Sequence, residues 1–110
     1  MNRVPRIRLS EAQLHTVSDT ASQQIFYRSE DGSKLAGVFA ESGKLTVTYS
    51  YDEFLYVTAG KALCEVEGGE SFTLEPGDAA LMRNGQTVNF VLSEDFCDVV
   101  FMVGTAPLPY

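Results

Sequence analysis

Residues 45–60 read Leu45-Thr46-Val47-Thr48-Tyr49-Ser50-Tyr51-Asp52-Glu53-Phe54-Leu55-Tyr56-Val57-Thr58-Ala59-Gly60. In the first half Leu45, Val47, Tyr49 and Tyr51 fall on one face, and Thr46, Thr48 and Ser50 fall on the other. This period of two marks a strand with one face buried. A second β-type run, Glu53 to Thr58, follows at once and is closed by Gly60. Two strands this close together leave no room for a crossover helix, so they belong to an antiparallel arrangement.

The same grammar continues in both directions. Downstream, Ala62 to Glu67 ends at Gly68-Gly69, and Ser71 to Leu74 stops at Pro76-Gly77-Asp78. Ala79 to Met82 meets Asn84-Gly85, and Thr87 to Leu92 and Cys97 to Val103 complete the series. Upstream, Ile25 to Arg28 runs into Asp31-Gly32, and Lys34 to Ala40 into Ser42-Gly43. Each break pairs a turn former with a glycine able to take positive φ. The tail Pro107-Leu108-Pro109-Tyr110 cannot pair in a central strand. From Gln24 onward no segment shows a helical period. Eight or nine short strands at regular spacing predict an all-β antiparallel barrel or sandwich.

The first twenty-odd residues differ. Pro5 and the polar run Ser18-Asp19-Thr20-Ala21-Ser22 predict an N-terminal arm with a linker, residues 1–23, ahead of a β domain at 24–110. Ser10 is a cap-type residue, so Ser10 to Leu14 can form one helical turn or two. Arg3, Arg6 and Arg8 read as a solvated arm.

A chain of 110 residues is one domain. Fifteen acids against eight bases give a net charge of −7, which disfavours a nucleic-acid partner. No apolar run reaches the ~18 residues of a membrane span. The N-terminus lacks the apolar stretch of a secretory signal, so the expected address is cytoplasmic. Cys64 and Cys97 form no CxxC pair and read as reduced core thiols.

Two blocks resemble the paired motifs of the cupin superfamily. Glu53, six residues and Gly60 match the second half of the first motif. Gly77-Asp78 begins the second motif, and Gly85 takes its later glycine. The resemblance spans about Lys34 to Val103 and implies a cupin-like barrel or jelly roll. The family's metal-binding histidines fall here on Val47 and Tyr49, or on Thr46 and Thr48, and on Val88. Arg83 stands at the motif proline. Glu53 alone remains of the four usual ligands. The single histidine, His15, lies outside both motifs. A catalytic transition metal wants three or more protein ligands, so no metal and no cofactor are expected; an all-carboxylate site for a hard ion stays open. Within the superfamily the chain resembles the small ethanolamine-utilisation type through Gly37-Val38-Phe39-Ala40-Glu41, Tyr51-Asp52-Glu53 and Gly60. Those relatives also lack the histidine set, and the resemblance implies that acids in the barrel do the work, here Glu41 and Glu53. Asn89 stands where an acid is expected in them.

The candidate catalytic pair is Glu53 and Tyr49. A carboxyl in an apolar pocket is pushed towards neutrality and becomes a general acid or base. A phenol on the same face can orient a carbonyl or hydroxyl. The opposing reading is a solvated Glu53 and two core tyrosines. Tyr51, Glu41, Val47, Val88 and Phe90 are the expected substrate-binding residues. Glu41 also reads as a strand-end acid, Asn89 as outward-facing, Tyr56 as structural and Met82 and Met102 as core filler. Three functions stay open. The first is a metal-independent acid/base enzyme of isomerase, epimerase, lyase or hydrolase type acting on a small polar metabolite. The second is a non-catalytic metabolite-binding or assembly module. The third is a barrel filled by its own side chains. The expected partners are a small molecule and a second copy of the chain.

Overall fold

A computed structural model describes residues 3–110 of the chain. A single 3-10 turn at Leu9–Glu11 precedes ten strands. These are β1 (His15–Ser18), β2 (Ala21–Arg28), β3 (Lys34–Glu41), β4 (Gly43–Thr48), β5 (Asp52–Ala59), β6 (Ala62–Val66), β7 (Ser71–Leu74), β8 (Ala79–Met82), β9 (Thr87–Leu92) and β10 (Cys97–Val103). They form two antiparallel sheets, one in the order β1-β2-β3-β10-β5-β8 and the other β4-β9-β6-β7. Five of the eight neighbouring pairs join strands that are not consecutive in sequence, as in a jelly roll. All nine β-type runs of the sequence are strands.

The segment expected as an arm contributes to the sheet. β1 and β2 form a hairpin through Asp19-Thr20, and β2 pairs along β3 from Ala21↔Glu41 to Arg28↔Leu35. The polar run at 18–22 therefore holds the turn of that hairpin, at Asp19-Thr20, and its flanking strand ends, and β2 crosses the expected boundary at residue 23. Residues 1 and 2 of the expected arm lie outside the described residues.

The core lies between the sheets, where inward residues of alternate phase meet. In β5 the inward set is Glu53, Leu55 and Val57, with Phe54 and Tyr56 outside. In β10 it is Asp98, Val100 and Met102. In β9 it is Val88, Phe90 and Leu92. Leu35, Val57 and Val88 are the largest side chains fully withdrawn from solvent, each contributing roughly 1.5–3 kcal/mol.

Gly60 shows why the first motif needs its glycine. Its φ is +74°, and a Cβ built there would lie 2.5 Å from Ser93 Oγ and 2.6 Å from Phe96 Cα. No side chain fits that approach, so the turn after β5 can pack on the loop before β10 only with glycine there.

Candidate functional site

The two motif blocks interlock at Tyr49. Tyr49 donates its backbone N–H to Gln86 O at 2.8 Å, and Gly85 N–H donates to Tyr49 O at 2.8 Å. Gly85, at φ +97°, makes the tight β8–β9 turn that allows this exchange. Asn84 N–H donates to Asp52 Oδ1 at 2.8 Å, fixing the start of β5 to the same turn. Tyr49 and Glu53, four residues apart across the β4–β5 turn, are thereby aimed together: Tyr49 OH donates to Glu53 Oε1 at 2.8 Å.

Both groups line a cavity of about 220 Å³ between the two sheets, open at one end to solvent. The barrel is therefore not filled by its own side chains. β3 supplies Phe39 and Glu41, β4 and the turn after it supply Leu45, Val47, Tyr49 and Tyr51, and β5 supplies Glu53. The far wall is Phe90 and Leu92 of β9 with Asp98, Val100 and Met102 of β10, and Tyr110 of the tail completes the ring. Among the described residues, no lysine, arginine or histidine lines it.

Of the residues singled out in the sequence, Glu53, Tyr49, Tyr51, Glu41, Val47 and Phe90 meet around this cavity. Val88 does not line it. Its side chain is fully buried in the core, and its strand pairs there with Val47 and Val66. The inward phase of β9 is as expected, but residue 88 sits too deep between the sheets to reach the cavity. Asn89 points outward, where its Oδ1 accepts from Thr46 Oγ1 at 2.6 Å. Tyr56 is exposed on the outer sheet face. Met82 and Met102 are buried in the core, and Met102 also reaches the cavity.

Two titratable residues of the cavity, Asp98 and Tyr110, are absent from the sequence-based candidates. Asp98 is only 6% exposed. Its signal was present: it stands in phase with Val100 and Met102 on an alternating strand, where an acid is out of place. Tyr110 hydrogen-bonds Tyr51, hydroxyl to hydroxyl, at 2.6 Å, and its ring meets the rings of Phe39 and Tyr51 edge-on at 5.7 and 6.2 Å. The tail reaches the mouth because Leu108 is buried and donates its N–H to Gly32 O at 2.8 Å.

The electrostatics follow from this enclosure. Burial pushes Glu53 up to about 7; the hydrogen bond from Tyr49 opposes the rise and the nearby Glu41 adds to it. Burial, helped by Glu53 and Glu41, pushes Asp98 up to about 8. Burial raises Glu41 as well. Tyr49, desolvated and beside Glu53, is held far above the usual phenol range and stays a neutral donor. The cavity thus holds three carboxyls of raised pKa and three phenols, a set able to take up and release protons near neutrality.

The donor set does not fit the cupin transition-metal site. At the motif positions Val47 and Val88 offer no ligating atom, and Tyr49 is committed to Glu53. Among the described residues, no three His, Cys, Asp or Glu side chains come together as a group that could hold a metal ion.

Comparisons with known proteins agree with this architecture. The structure is similar to KdgF from Halomonas sp. (TM-score 0.69, 20% identity, 90% of this chain and 91% of that one). It is also similar to the Clostridium difficile EutQ protein (TM-score 0.71, 17% identity, 92% and 80%). Ectoine synthase from P. lautus matches too (TM-score 0.70, 17% identity, 80% and 67%). At these identities the likeness establishes the fold alone. A comparison with curated protein sequences finds no match. The model of the EutQ-like cupin domain matches residues 28–98, a stretch holding both motif blocks and Glu41, Glu53 and Asp98. With more than half its length matched, the chain belongs to the EutQ-like cupin family.

Proposed function

We propose that the cavity binds a small polar metabolite and that Glu53 moves a proton on it as a metal-independent general acid or base. The observation that carries this is the Glu53–Tyr49 pair: a buried carboxyl with one oxygen held by a phenol, titrating at about 7 inside a cavity. A group poised near the working pH is present in both forms, as proton transfer in either direction requires. Tyr49 sets the carboxyl's orientation by donating to it. Asp98 supplies a second carboxyl of higher pKa, so one acid and one base coexist near pH 7. Isomerisation, epimerisation, elimination or hydrolysis fits such a pair. Tyr51, Glu41, Val47 and Phe90 would hold the substrate. The cytoplasm is the compartment this reading assumes.

A second reading, a binding or assembly module without turnover, draws on a different feature. Phe101, Phe54 and Leu81 stand side by side across β10, β5 and β8, all exposed on the outer face of the larger sheet. Such an apolar stripe suits a second copy of the chain.

The test is exchange in heavy water. A panel of small carbonyl, amino and hydroxyl metabolites is incubated with the protein and followed by proton NMR. Deuterium entering one metabolite, and ceasing to enter with Glu53→Gln, supports proton transfer. Ligand-induced shifts with no exchange, unchanged in Glu53→Gln, support the binding module.

A further inference from the structure

The cavity has an imbalance that acid/base chemistry alone does not require. Glu41 of β3, Glu53 of β5 and Asp98 of β10 all face it, and the other titratable groups around it are Tyr49, Tyr51 and Tyr110. Among the described residues, no basic side chain lines the space, and none acts on any of the three carboxyls. The two ion pairs of the described residues, Arg8–Glu11 and Lys61–Glu75, lie exposed at the surface. Buried carboxyls without a cation within the protein must hold protons or meet a cation from outside.

Asp98 gives the second, independent observation. It is only 6% exposed, yet among the described residues the only hydrogen-bond donor acting on its carboxyl is its own backbone N–H. No fully enclosed side-chain oxygen in the described structure lacks a partner, and Asp98 lines the cavity, so its unpartnered oxygen is open to a ligand there. The same cavity is lined by Tyr49, Tyr51, Tyr110, Phe39 and Phe90. Aromatic rings together with a carboxylate are the chemistry that recognises an ammonium group. The volume, about 220 Å³, lies below the roughly 300–1,000 Å³ of pockets for drug-sized ligands, so the ligand is small.

We propose that the cavity takes a small organic cation, a metabolite bearing a protonated amine, whose ammonium group is seated on Asp98 and Glu53 and flanked by the tyrosine rings. This deepens the reading above, resting on the cavity being the ligand site and naming the substrate class. Binding then displaces a proton from the cavity carboxyls. Affinity rises with pH, by up to about tenfold per unit while the displaced proton's carboxyl is still protonated.

The probes are propylammonium, 1-propanol, propionate and Mg²⁺, titrated by calorimetry at pH 6 and pH 8 in buffers of different ionisation enthalpy. Expected is propylammonium binding at least about tenfold tighter than 1-propanol, with proton release and tighter binding at pH 8. Asp98→Asn, which keeps the shape, weakens it by a similar factor. Glu41→Gln, at the half-buried edge, is a second variant if Asp98→Asn folds poorly, and a smaller loss is expected there. Equal binding of 1-propanol or propionate, preference for Mg²⁺, or no binding by any probe overturns the inference. Carboxyl NMR of Glu53 on the same sample separates the two claims. Glu53 titrating near 7 without a cation preference sinks the substrate class and leaves acid/base function standing. A cation preference with Glu53 in the ordinary carboxylate range does the reverse.

Discussion

The cavity carboxyls should make the protein less stable as pH rises, and Asp98→Asn should remove about half of that dependence. Asp98 moves from 3.8 to about 8 on folding and Glu53 from 4.5 to about 7. Between these limits the folded state holds protons that the unfolded chain has released. Stability falls with pH wherever the folded state binds more protons. The penalty is absent below about pH 4 and complete above about pH 8, the window set by those shifts. Near pH 6 the two groups together hold close to two extra protons, so stability drops by roughly 2–3 kcal/mol per pH unit. The amide introduced by Asp98→Asn cannot ionise, which leaves about one proton and a slope of roughly 1.4 kcal/mol per unit. The full Asp98 shift corresponds to at most about 6 kcal/mol, because part of it is shared with Glu53 and Glu41. That is comparable to the whole stability of a small domain, ~5–15 kcal/mol. The assay is urea unfolding at intervals from pH 5 to 9 for both proteins. The wild type should lose stability steadily, and Asp98→Asn should cross above it by pH 8. Stability that is flat or rising from pH 5 to 7, or a variant with the wild-type slope, would refute the reasoning.

Three further perturbations follow from the same contacts. Tyr49→Phe removes the hydrogen bond that lowers Glu53, so the Glu53 carboxyl should titrate above 7 in carbon-13 NMR; the ionised folded state should lose about 1.5–3 kcal/mol. Gly60→Ala meets Ser93 Oγ and the Phe96 backbone at positive φ and should cost more than about 3 kcal/mol, whereas Gly43→Ala, at φ +88° with open space around it, should cost only about 1 kcal/mol by denaturant unfolding. Phe101→Glu places a charge in the exposed stripe beside Phe54; the variant should sediment as a monomer with a melting temperature independent of concentration, while the wild type sediments as a dimer whose melting rises with concentration.

The strands were legible because burial and turn chemistry wrote themselves into local pattern. The alternation of residues 45–51 holds in burial at Val47, Tyr49 and Tyr51, although the strand itself ends at Thr48 and Leu45 is partly exposed. The Gly60 and Gly85 turns were visible because positive φ and close approach leave few other residues possible. β1 was not visible. His15, Thr16, Val17 and Ser18 are all exposed, so nothing apolar alternates there, and the strand exists by pairing with β2. The first half of β2 is polar and half-buried for the same reason. At the site, the Glu53–Tyr49 pair could be read from motif spacing. Depth along a strand could not: Val88 and Phe90 share one phase, and only packing between sheets decides which reaches the cavity. Tyr110 was hidden because its place depends on a tail held by Leu108 and Gly32, which no local period records. Asp98 could have been found, since an acid in phase with Val100 and Met102 breaks the pattern of its strand.

Acid/base function in this cavity depends on a buried carboxyl poised near neutrality. The most direct measurement is a carbon-13 NMR titration of the glutamate and aspartate side-chain carboxyls, with Glu53→Gln and Asp98→Asn to assign the signals. The Glu53 signal should move with a midpoint near 7 and the Asp98 signal with a midpoint near 8, the Asp98 midpoint falling when Glu53 is replaced. Midpoints for both in the ordinary range near 4 would contradict it.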